Sequence, residues 1–108
     1  SPHYPAWVRY YYVYTLLALN KFDQAERFVL ENKDLDYAYY GTSEIFTLCL
    51  IYIAHKKENN RQATRYYEEY QTMPNSLSFG YLESDFAAAK SKAFFEDFKN
   101  VLQLYGNF

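Results

Sequence analysis

Leu16-Leu17-Ala18-Leu19-Asn20-Lys21-Phe22-Asp23-Gln24-Ala25-Glu26-Arg27-Phe28-Val29 and Ile53-Ala54-His55-Lys56-Lys57-Glu58-Asn59-Asn60-Arg61-Gln62-Ala63-Thr64-Arg65-Tyr66-Tyr67 are two statements of one pattern. In each, an apolar helical stretch runs into a short polar turn containing Asn, and a Gln-Ala pair then opens a new amphipathic segment. From Ala25 to Ala63 is 38 positions. A unit recurring at that period cannot cover its apolar face by itself, so it must stack on a neighbour. The fold class expected from this echo is all-α, built from helical hairpins.

Working outward, the stretch from Ala6 to Leu19 carries Trp7, Tyr10 or Tyr11, Tyr14, Leu17 and Ala18 at three- and four-residue intervals, with apolar residues between them as well. A helix apolar on nearly all sides is covered on more than one of them. Asp23 with Glu26 three residues on has the spacing of a capping box, which starts a second helix at about Asp23 and runs it to Glu31. Asn32 to Gly41 reads as a connector, and Thr42 or Ser43 as the cap of a third helix from about Glu44 to Lys57. The turn Glu58-Asn59-Asn60 leads to a fourth helix from about Arg61 to Met73, stopped by Pro74. After a loop containing Gly80, Ser84 precedes a last helix reaching Tyr105, with Gly106 placed for a left-handed end-cap. One domain over residues 1–108 is expected, with units at about 6–32, 43–74 and 84–105. The opening Ser1-Pro2-His3-Tyr4-Pro5 lacks an initiator Met and a signal-peptide pattern, so the chain reads as a fragment of a longer protein.

Composition narrows the function classes. Fourteen Tyr, nine Phe and one Trp make 22% of the chain aromatic, so rings rather than aliphatic side chains fill the space between elements. Three Gly and three Pro are too few for a turn-rich β-sandwich. A net charge of −2 offers no electrostatic attraction to nucleic acid or an anionic membrane. No apolar run approaches the roughly 20 residues needed to span a bilayer. The lone Cys49 has no partner for an internal disulfide and sits between Leu48 and Leu50, which suits a small buried hydrophobe in a reducing, cytoplasmic compartment. His3 and His55 are the only histidines, and no spacing matches a metal motif, a phosphate loop or a nucleophile elbow. No catalytic residue, metal or cofactor is therefore expected.

By the turn Asn20-Lys21-Phe22-Asp23-Gln24-Ala25 the chain resembles the tetratricopeptide repeat, whose hairpins carry a small residue early in the second helix. Ala25 and Ala63 match that position, Phe22 the aromatic that plugs the turn, Phe28/Val29 and Tyr66/Tyr67 the bulky residues one turn on, and Pro74 the closing proline. The likeness spans about residues 9 to 74, with the last helix as a cap or the start of a third unit. Val13 and Ile51 stand where the family has a small residue, and the spacing of the two hairpins is about four residues longer than the family's period.

The resemblance implies a non-catalytic module that binds a protein or peptide in a concave groove lined by the first helix of each hairpin. The corresponding residues are Tyr10, Tyr14, Leu17, Ile45, Leu48, Tyr52, His55 and Lys56. Flat phenolic rings with a hydroxyl at the tip suit such binding. The carboxylate clamp of some family members is not expected, because Tyr10, Tyr14, Leu48 and Tyr52 hold its places. His55, Lys56 and Lys57 with Arg61 and Arg65 read as a solvated helix end. The stripe Phe94, Phe95, Phe98, Leu102 and Tyr105 would be an exposed dimer seam if the last helix ends the array. That stripe motivates an alternative, a ligand-sensing or dimerisation domain of a larger bacterial regulator.

Overall fold

The computed structural model describes residues 6–33, 42–73 and 92–107. Within them the chain is all-helical: α1 (Ala6–Ala18), α2 (Phe22–Asn32), α3 (Thr42–Lys56), α4 (Asn60–Gln71) and α5 (Lys92–Gln103). The connector from Asp34 to Gly41, the stop at Pro74, the loop with Gly80 and the start at Ser84 lie outside the described residues.

The two hairpin turns are made the same way. Asn20 and Glu58 both take the left-handed conformation, at φ 60° and 61°. Beside them the Lys21 amide donates to the Leu16 carbonyl (2.8 Å) and the Asn20 amide to Leu17 (3.0 Å), while Asn59 donates to Ala54 and Glu58 to His55 (both 2.9 Å). These paired bonds are a Schellman end, which satisfies the last carbonyls of a helix while reversing the chain. In both copies the next helix starts at once, with Ala25 donating to Lys21 and Ala63 to Asn59, each at 3.0 Å. Both alanines are fully buried, so each hairpin closes over a residue with no side chain beyond Cβ.

Capping differs from the expectation. α2 begins at Phe22 with Lys21 at the cap position and no side-chain cap bond, so Asp23 and Glu26 do not form a capping box. Both carboxylates instead meet Lys57, Glu26 at 3.1 Å, which ties the turn after α3 back to α2. A second cross-tie joins Lys33 at the end of α2 to Glu69 in α4 at 3.2 Å. α4 is capped by Asn59, whose side chain accepts from the Gln62 amide at 3.2 Å. Ser43 lies inside α3, where its hydroxyl donates to the Lys33 carbonyl rather than capping. Gly106 is not left-handed; it presses on the Tyr67 ring so closely that a Cβ there would overlap it.

α3 is the axis of the packing and contacts each of the other four helices. Every side chain from Glu44 to Ala54 is buried, so this helix has no solvent-facing side. Its sequence explains that: Ile45-Phe46-Thr47-Leu48-Cys49-Leu50-Ile51-Tyr52-Ile53 is apolar around nearly the whole circumference. α2, α4 and α5 each turn one apolar stripe inward and keep charged residues outside. No helix among the described residues is long and apolar enough to cross a membrane.

Candidate functional site

The expected groove wall lies in the core. Tyr10, Tyr14, Leu17, Ile45, Leu48 and Tyr52 are all buried, Tyr14 and Tyr52 with 2% of their surface exposed and Leu48 with none. The correction has a physical reason: rings spaced along α1 and α3 fit an open wall or a covered one equally well, and here they are covered. Tyr10 meets the Phe46 ring edge-on at 5.7 Å, and Tyr52 meets Phe22, Phe94 and Phe98 at 6.2, 5.5 and 5.2 Å. The stripe on the last helix is likewise not an exposed seam. Phe94, Phe95, Phe98, Val101 and Leu102 are buried, and Tyr105 packs against the same core.

His55 and Lys56 remain near the surface, and the structure gathers polar chemistry around them. Tyr52, His55 and Lys56 occupy the last turn and a half of α3, opposite Asp97 and Tyr105 at α5 and the residues just after it. The Tyr52 hydroxyl donates to Asp97 Oδ2 at 2.7 Å, and Lys56 Nζ lies 2.8 Å from the same oxygen. Lys56 also sits over the Tyr52 ring, 5.3 Å from its centroid. Next to this triad, His55 Nδ1 is 2.6 Å from the Tyr105 hydroxyl, which donates to Asn60 Oδ1 at 3.0 Å. With that hydroxyl proton directed at Asn60, the bond to His55 is completed by a proton on Nδ1. The rings of His55 and Tyr105 meet edge to face at 5.6 Å.

Electrostatics follow the contacts. For Asp97, burial works to raise the carboxyl pKa, but donation from Lys56 and Tyr52 and the positive charge of Lys56 outweigh it and hold the group below the usual range. Tyr52 moves the other way: burial, then the bond to the Asp97 carboxylate and its charge, push its phenol well above the ordinary value. Burial also raises Tyr105. On the far side of the turn, the Lys57 bond to Asp23 lowers the carboxyl and raises the ammonium.

The end of α3 is solvated as expected, with Lys56, Lys57, Arg61 and Arg65 exposed, and His55, Lys56 and Lys57 there each also have a named partner. Asp97, Asn60 and Tyr105 were not legible as site residues, because nothing in their own neighbourhoods marks them; only the approach of α5 to α3 does. Cys49 is fully buried and free, and burial raises its thiol pKa, as its leucine neighbours suggested. Among the described residues no three His, Cys, Asp or Glu side chains converge as a metal site. The arrangement is chemically suited to gripping a helix: a cation and a hydroxyl converge on one carboxylate beside an aromatic floor. Comparisons with protein-family models, with curated proteins and with solved structures find no match to this chain.

Proposed function

We propose that this chain is a non-catalytic, TPR-like helical module that binds a segment of another protein. The observation that carries the reading is the duplicated hairpin turn: a left-handed residue at the same place (Asn20, Glu58), the same Schellman bonds and a buried alanine recur 38 positions on. Cross-ties from Lys57 to α2 and from Lys33 to α4 support a stack of two hairpins. Stacked hairpins offer shaped surface rather than reactive groups, and the titratable cluster around Asp97 is spent on holding helices together. A buried, unpaired thiol suits a reducing compartment such as the cytoplasm.

The test is affinity capture on the immobilised chain, with an Ala63→Asp chain, whose second hairpin cannot close, as the control. A protein retained by the first and not by the second is then purified and titrated. Saturable one-to-one binding that leaves the partner chemically unchanged is the expected result. No selective capture, or a modified partner, overturns the reading.

A further inference from the structure

We infer that the outward face of α1 is a docking site for a helical hairpin of another protein, which packs there as α1 and α2 pack on α3. The inference rests on the binding-module reading and names its surface and partner class. The repeat allows each helix to be compared with its own counterpart. Val8, Tyr12 and Thr15 follow one face of α1, and 38 positions on they correspond to Phe46, Leu50 and Ile53 along one face of α3. In α3 that face is fully covered, and Phe46 meets rings from both helices of the first hairpin, Tyr10 at 5.7 Å and Phe28 at 6.5 Å. In α1 the same face is open: Val8 is half-buried, Thr15 is exposed, and Tyr12 shows 43% of its surface.

The chemistry of this face suits burial. Arg9 is the only charged residue of α1 and lies off the line, while Leu19, just past the helix end, prolongs it. Thr15 donates its hydroxyl to the Tyr11 carbonyl at 2.8 Å, so its polar atom is already satisfied. The Phe28 ring stands edge-on to Tyr12 at 4.7 Å and widens the apolar strip onto α2. The last helix shows how an end of the stack is closed: α5 packs on α3 and leaves Lys92, Glu96 and Asn100 exposed, a polar outer face of the kind that terminates a helical array. α1 has no such face. In a second copy of this chain, the side of the first hairpin that would fit the site is already spent on α3, with Tyr10 buried and Phe28 against Phe46. The occupant is therefore a hairpin of a different chain, with bulky apolar residues where this one has Tyr10 and Phe28, held weakly and reversibly because the strip is small.

The probe is a fluorescein-labelled peptide with the sequence of residues 6–33, in which the side of the hairpin that otherwise faces α3 is free. It is titrated into the full chain and followed by polarisation. Saturable binding is expected, weakened about tenfold or more by Thr15→Arg in the chain, because a charge would have to be buried under the incoming hairpin. Thr15 is exposed, so this variant should keep the wild-type urea midpoint; Tyr12→Glu is the independent second variant, with the same expected loss. A peptide carrying Tyr10→Asp should not bind. Absence of binding overturns the inference. So does binding that neither chain variant alters, since the peptide is then replacing the chain's own first hairpin on α3. A chain that is dimeric by light scattering and becomes monomeric with Thr15→Arg assigns the face to a second copy and also overturns it. Partner capture that Thr15→Arg leaves intact removes the docking face and keeps the module reading. Peptide binding that Thr15→Arg abolishes, with no protein captured, keeps the docking face and removes the module reading.

Discussion

Replacing Glu58 by glycine should stabilise the protein, although it removes a side chain and adds nothing. Glu58 sits at φ 61°, where an L-residue with a Cβ is strained by roughly 1–2 kcal/mol. Glycine carries no such strain but loses roughly 0.5–1 kcal/mol through the extra freedom of the unfolded chain. The net expectation for Glu58→Gly is a gain of about 0.5–1 kcal/mol. Asn20 occupies the same place in the first turn at φ 60°, but asparagine tolerates that conformation better, so Asn20→Gly should move stability by less than about 0.5 kcal/mol. Glu58→Val, with a branched Cβ in the same position, should cost about 1 kcal/mol or more. Urea unfolding followed by circular dichroism reads all three. With a slope of about 1.5 kcal/mol/M, the Glu58→Gly midpoint should rise by about 0.5 M at unchanged slope. A lower midpoint for Glu58→Gly would refute the reasoning, because it would mean that position 58 is ordinary right-handed helix.

Phe98→Ala should cost about 3–5 kcal/mol in the same assay, since the ring is 1% exposed and wedged against Tyr52 and Phe94, whereas Leu104→Ala, at 68% exposure, should stay within about 0.5 kcal/mol. Tyr52→Phe should cost about 1 kcal/mol at neutral pH through the lost bond to Asp97. Asp97 is lowered in the folded state, so its contribution is present above about pH 4 and fades as pH falls through its folded pKa; Tyr52 is raised, so its contribution is present below about pH 10 and is lost at more alkaline pH. Stability measured against pH should show both losses in the wild type, with the alkaline one diminished in Tyr52→Phe. Cys49 should resist a thiol reagent in the folded chain and react at once in urea, and equal rates in both would contradict its burial.

The parts of this fold that were legible in the sequence are those that the backbone dictates locally. Asn20-Lys21 and Glu58-Asn59 interrupt apolar helices with short polar turns, and Ala25 and Ala63 mark where a following helix must come close. Both signals survive in a single sequence because they depend on a few adjacent residues. Helix ends were less legible, and Asp23 with Glu26 shows why. A carboxylate pair at cap spacing serves as well for an ion pair with a distant lysine, and Lys57 decides between them. The groove failed for a related reason. Tyr10, Tyr14 and Tyr52 are amphipathic rings, so spacing alone does not tell a wall from a core; the near-complete apolar circumference of α3 was the better indicator. Asp97 became a site residue only when α5 was laid on α3.

The enclosure of α3 has a consequence for biosynthesis. A ribosome delivers the chain from the amino end, so Tyr52 and its neighbours emerge well before Phe94 and Phe98 exist to shelter them. During that interval the nascent polypeptide presents a greasy, ring-studded flank to whatever is nearby, and a message truncated ahead of Lys92 would leave it so permanently. Such a product should be a preferred client of chaperones and a ready target for degradation, while the finished chain escapes both.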